Sequence, residues 1–115
     1  MRYHDKSSIL MAASMDSSTL SALSPVDGRY AAAAAPLRAL FSEAALIRER
    51  VRVEALWFLT LADRSLGLSE PPPAAVLARA RALSSEPPAD AAAAVKAIEA
   101  RINHDVKAVE YYVRD

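Results

Sequence analysis

The chain has no cysteine, and its 115 residues include only two glycines and two histidines. Without cysteine there is neither a disulfide framework nor thiolate-bound zinc, a composition that fits a reducing cytosol. Scarce glycine beside abundant alanine points to helices packed on helices rather than sheets. Neither sign of charge is in excess, with 14 acidic and 14 basic side chains, so nothing marks a nucleic-acid backbone or an anionic membrane as a partner. No apolar run approaches the ~20 residues that a membrane span requires. His4 and His104 are far apart, too few for a metal centre. A His-Asp dipeptide such as His104-Asp105 occurs in metal-dependent phosphohydrolases, but the further His and Asp ligands of that chemistry are missing. There is no glycine-rich phosphate loop and no Gly-x-Ser-x-Gly elbow. The length allows one domain.

What is present reads as a polar lead followed by a helical domain. Residues 1–19 are serine-rich and lack periodicity, the composition of a disordered extension. Their apolar stretch, residues 9–13, is shorter than the ~7–15-residue core of a signal peptide. Residues 20–115 form the domain. Pro25 and then Asp27-Gly28 signal a bend, because proline presets φ and glycine accepts the angles a bend needs. Arg29 and Tyr30 follow directly, and an arginine there is ordinarily just solvated. Residues 31–40 read as a short helix with Pro36 tolerated in its first turn. Ser42 is a fresh N-cap with Glu43 favourably placed against the helix dipole.

The longest helix is expected from Glu43 to about Ser65, ending near Gly67. Ile47, Val51, Ala55, Phe58 and Ala62 form one apolar stripe, and Leu46, Val53, Trp57 and Leu61 a second interrupted by Arg50. So broad a stripe predicts burial on two sides, with Trp57 and Phe58 in the core. Arg50 and Glu54 are spaced as an i,i+4 pair. The prolines of residues 70–73 form a linker. Residues 74–83 are a further helix with Val76, Leu77, Ala80 and Leu83 inward, residues 84–88 break it, and residues 89–101 form another.

Asn103, His104 and Asp105 then stand between two apolar-periodic runs. Val106, Val109 and Val113 share one face of a last helix, and Glu110 precedes Arg114 at the spacing of an ion pair. Residues 103–105 are therefore a polar elbow at a helix N-terminus, where backbone N–H groups and the helix dipole favour anions.

The stretch from Asn103 to Tyr111 closely resembles the segment that marks adenylosuccinate lyases of the bacterial type, within the fumarase/aspartase superfamily. Ser24-Pro25-Val26-Asp27-Gly28-Arg29-Tyr30 resembles the amino-terminal signature of that family. A third likeness is Phe41-Ser42-Glu43, followed by Arg50-Val51-Arg52-Val53-Glu54 and Trp57. The family usually has threonine before Asn-His-Asp, where this chain has Ile102. The resemblance runs from about Leu20 onward and covers only the first part of a complete lyase; members begin shortly before Ser24, which makes Met15 a natural start.

The resemblance implies an all-α fold: the helical amino-terminal domain of such a lyase, with the start of a further helix cut at the C-terminus. It implies β-elimination of fumarate from adenylosuccinate to give AMP, and from the succinylated aminoimidazole carboxamide ribotide, in purine and AMP biosynthesis. It implies substrate-binding roles for Arg29, Tyr30, Asn103, His104 and Asp105, with the residue 27–30 bend and the elbow bordering one cleft. No catalytic residue is expected in this chain, since the general-acid histidine and general-base serine would lie beyond Asp115. No cofactor, metal, nucleic acid or membrane is implied; the partners are a nucleotide substrate and the other subunits of a cytoplasmic homotetramer. The alternative is a non-catalytic helical interaction module from a truncated or decayed lyase.

Overall fold

The structure, a computed structural model, describes residues 17–64, 67 and 69–115, and among these there are helices and no strand. In chain order they are α1 (Ser17–Leu20), α2 (Ala31–Ala34), a 3-10 turn (Ala35–Leu37), α3 (Arg38–Phe41), α4 (Glu43–Arg64), α5 (Ala74–Ser85), α6 (Ala91–Ile102) and α7 (Asp105–Arg114). The all-α class is as expected. Of the extension expected over residues 1–19, only Ser17 to Thr19 are described, and they belong to α1. The chain divides into two units, Met1–Arg38 and Ala39–Asp115.

In the first unit the bend at Ser24 is held by Asp27. Its carboxylate accepts the Ser24 N–H at 2.7 Å and the Ser24 hydroxyl at 2.9 Å, and the Ser24 Oγ accepts the Val26 N–H at 3.1 Å. The Ser24 hydroxyl, first, and the Ser24 N–H hold the Asp27 carboxyl below its ordinary 3.8, because both bonds favour the ionised form. Gly28 serves differently from the expectation. It does not adopt positive φ; a Cβ there would meet the Thr19 carbonyl oxygen at 2.9 Å and the Ala22 methyl at 3.1 Å. Close approach, not a special angle, requires the glycine. Pro36 also does more than sit in a first turn. It lies inside the 3-10 turn that separates α2 from α3, since its ring clashes with the preceding turn and it has no N–H to donate.

The second unit is organised on α4. Ser42 caps it, its Oγ accepting the Ala45 N–H at 3.2 Å. Ile47, Val51 and Ala55 on α4 are buried against Leu83 of α5, Val95 of α6 and Ala108 and Val109 of α7. Ala92, Ile98, Ile102, Tyr112 and Val113 pack around this cluster half-buried. Pro71 to Pro73 precede α5, and Glu86, extended at φ −144° and ψ 95°, ends it. The residue before a proline is driven out of the helical region, so Glu86 stops the helix ahead of Pro87. Arg79 of α5 donates to the Tyr112 carbonyl at 3.2 Å and ties α5 to α7.

Burial is one-sided where two-sided burial was expected. The Ile47, Val51 and Ala55 face is covered, but Leu46, Val53 and Trp57 are exposed, Trp57 by 58%. Phe58 is half-buried. Val76, expected inward, is exposed, and so is Val106. The three helices α5, α6 and α7 all gather on one flank of α4 and leave the neighbouring stripe uncovered. A groove of about 630 Å³ between α4, α5 and α7 is lined by Trp57, Phe58, Leu61, Val76 and Val113. No described helix is long and apolar enough to cross a membrane.

Val51 is fully buried, so Val51→Ala removes two packed methyl groups and should cost about 2 kcal/mol. Trp57→Ala should cost less than about 1 kcal/mol despite its larger side chain, because it acts at the surface. Urea denaturation of both variants decides this, and equal losses would contradict the one-sided core. The uncovered stripe should also drive self-association. Sedimentation should show larger species as concentration rises, and Trp57→Glu should return the chain to a monomer at unchanged helicity.

Candidate functional site

The elbow at residues 103–105 is a reversal completed with almost no loop. α6 ends when Asn103 turns left-handed, at φ 53° and ψ 40°, and donates its N–H to the Glu99 carbonyl at 2.7 Å. For most L-residues that conformation costs roughly 1–2 kcal/mol; asparagine, with its short polar side chain, is among the few that visit it readily. His104 is then extended at φ −149° and ψ 112°, and its carbonyl accepts the Ala108 N–H at 3.1 Å. Its Nδ1 accepts the Lys107 N–H at 3.3 Å. His104 is thus the N-cap of α7, a position where serine, threonine, asparagine and aspartate are the usual occupants. Because Nδ1 accepts, the neutral ring carries its proton on Nε2, a donor free of the cap.

Asp105 opens α7 and reaches across to α4. Its Oδ2 accepts from Arg50 Nη1 at 2.9 Å, with both side chains partly exposed. The Val106 N–H, first, and then Arg50 hold the Asp105 carboxyl below its ordinary 3.8. This is the usual situation of a carboxylate in the first turn of a helix. The Asn103, His104 and Asp105 side chains are all exposed, a hydrogen-bonding surface open to a ligand. A cavity of about 310 Å³ beside it is lined by Leu46, Arg50, Val53, Val106 and Val109. The larger groove contains none of the predicted site residues.

Two expected ion pairs are replaced. Arg50 bonds Asp105 rather than Glu54, since the partner on α7 lies closer than the one along its own helix. Glu110 pairs with Lys107 and Arg114 with Asp115, and the Lys107 ammonium and Arg114 guanidinium lie over the Tyr111 ring at 5.6 and 4.7 Å from its centre. Arg50 is the site neighbour that sequence reasoning missed. Its signal was the interruption of an apolar stripe by a cation, which calls for a partner across the fold.

Arg29 and Tyr30 belong to the other unit, where both are exposed. The Arg29 guanidinium lies 4.8 Å from the centre of the Tyr30 ring, a cation–π stack. Tyr30 precedes α2 without a side-chain cap. Among the described residues no group of three or more His, Cys, Asp or Glu is placed to hold a metal ion.

The lowered affinity of Asp105 for protons fixes a direction of pH dependence. A carboxyl with a depressed folded-state pKa stabilises the fold above its ordinary 3.8, and that contribution is lost as pH falls through the lower folded value. Asp105→Asn should therefore be less stable than the parent at neutral pH, and the gap should close as pH falls below the ordinary 3.8 and through the lower folded value. Denaturation midpoints of the two proteins across that range provide the check; a gap independent of pH would remove the charge from the explanation.

No family profile matches the chain. Against curated proteins, it is 46% identical over 103 residues to adenylosuccinate lyase of Haemophilus influenzae, covering 88% of this chain and 22% of that protein. It is 41% identical over 102 residues to adenylosuccinate lyase of Escherichia coli K12, with the same coverage. Adenylosuccinate lyase of Dictyostelium discoideum is 36% identical over 102 residues, which is 84% of this chain and 21% of that protein. The chain spans about a fifth of the length of these relatives. Over the stretch that it spans, the chain belongs to the adenylosuccinate lyase family.

Proposed function

We propose that this chain is the substrate-binding amino-terminal part of an adenylosuccinate lyase. The reaction is β-elimination: a base removes a carbon-bound proton beside a carboxylate, a C–N bond breaks, an acid protonates the departing nitrogen, and fumarate leaves. Adenylosuccinate gives AMP in this way, and succinylaminoimidazole carboxamide ribotide gives its carboxamide. The proton-transferring histidine and serine belong to the rest of the lyase, as do the other subunits of a tetramer that complete the pocket. The single observation that carries the reading is the elbow: a helix N-terminus whose cap is His104, with Nε2–H left as a donor, inside a segment shared with named lyases.

The substrate has a phosphate at one end and a dicarboxylate at the other. Arg29 suits the phosphate, because a planar guanidinium donates two parallel charge-assisted hydrogen bonds, and Tyr30 contributes its ring and hydroxyl beside it. Asn103, His104 and Asp105 serve nearer the reacting end, where a donor aimed at developing negative charge stabilises the transition state. The alternative, a non-catalytic helical module, draws support from the uncovered apolar stripe of α4.

A chimera discriminates between them: residues 20–115 replace the matching segment of the Haemophilus influenzae lyase. It should release fumarate, whereas the 115-residue chain alone should not. In the chimera, Arg29→Ala should raise KM about 10- to 100-fold with little change in kcat, the loss of a charge-assisted bond present in ground and transition states alike. His104→Ala should lower kcat about 100-fold. An active chimera indifferent to both substitutions would refute the assigned roles, and an inactive, well-folded chimera would favour the module.

A further inference from the structure

We infer that Arg50 is a positioning residue that sets the tautomer of His104 by holding the Asp105 carboxylate away from it. The inference rests on the proposed role of His104 for its functional meaning, but on geometry alone for its content. Three groups compete at the start of α7. His104 Nδ1 accepts the Lys107 N–H at 3.3 Å, which it can do only while Nδ1 carries no proton. Asp105 Oδ1 lies 3.8 Å from that same Nδ1. Arg50 Nη1 holds the other oxygen, Oδ2, at 2.9 Å from a helix 55 residues earlier in the chain.

A carboxylate one residue from an imidazole is a ready acceptor for an Nδ1–H, and which ring nitrogen carries the proton is set by the bond the other makes. With the guanidinium in place, Asp105 already has a strong donor. Nδ1 then remains the cap of α7, and Nε2–H is the face turned to a ligand. Without it, the carboxylate gains by moving the short distance to Nδ1 and drawing the ring proton there. The consequences are two: the Lys107 N–H loses its acceptor, and Nε2 becomes an acceptor where a donor was needed. A ligand oxygen carrying negative charge would then meet a lone pair.

Long-range ¹H–¹⁵N spectra of the imidazoles in the ¹⁵N-labelled 115-residue chain, in alkaline buffer, read the tautomer directly. The chain has only His4 and His104, and His4→Gln assigns them. The parent should show His104 protonated on Nε2. Arg50→Met, which keeps an apolar stem but removes the donor, should shift the population several-fold toward Nδ1–H. Arg50→Met/Asp105→Asn should return it to Nε2–H, because the competing carboxylate is gone. A merely structural role for Arg50 would alter helicity or stability without this reversal. An Nδ1–H ring in the parent would overturn the inference before any variant is made. So would a tautomer ratio unaffected by Arg50→Met in a folded chain. Should Arg50→Met not fold, Arg50→Lys, with its single-point ammonium in place of the fork, should give an intermediate ratio, and an unchanged one would count against the inference. No substrate enters this experiment, so failure of the lyase reading, seen in the chimera, leaves its outcome independent.

Discussion

The reversal at Asn103 is the constraint on which the second unit depends. α6 and α7 both supply core side chains to α4, so the chain must turn back between them without leaving backbone groups unpaired. It does so by using one residue as the stop of one helix and the next as the start of the other. Asn103 takes the left-handed conformation and returns its N–H to Glu99, and His104 caps α7 through Nδ1. The orphan groups of both helix ends are partly satisfied locally, and Val95 and Val109 arrive in the same cluster. A longer loop would leave the polar elbow free to wander; here its three side chains stand on the ends of two packed helices.

The same arrangement explains why charged groups at the elbow are ordered while exposed. Asp105 is fixed from its own helix by the Val106 N–H and from α4 by Arg50. Surface ion pairs contribute little to stability, typically 0–1 kcal/mol. The value of the Arg50 contact lies in orientation, since it decides which oxygen of Asp105 faces the imidazole. In the first unit Asp27 is treated similarly, with Ser24 supplying the donors in place of an arginine. In both places a carboxylate organises the backbone beside exposed polar residues.

The helices were largely legible because their signals are local. Ser42 as a cap, the proline breaks before α5 and after it, and the period of Ile47, Val51 and Ala55 depend on neighbours within a few residues. Errors fell where partners come from elsewhere. The stripe of Leu46, Val53 and Trp57 looks apolar enough to be core, but burial also needs something to cover it, and three helices on one flank do not reach it. Glu54 was the near partner for Arg50 along the helix, but Asp105 was the better one across the fold. Gly28 was recognised for the right bend and the wrong reason, because the crowding by Thr19 and Ala22 exists only once the chain has turned.

By itself the sequence determined the helical class, the places where helices stop, the adjacency of Asn103, His104 and Asp105, and the segments shared with the lyases. These follow from spacing, capping chemistry and residue identity, none of which requires a distant contact. Tertiary structure decided which residue of the elbow does what. That asparagine stops one helix, that histidine rather than asparagine or aspartate caps the next, and that Arg50 takes Asp105 are outcomes of competition among donors and acceptors brought together by packing. Such a competition has no winner until the competing groups are within bonding distance, and only the packing of α4 against α7 puts them there.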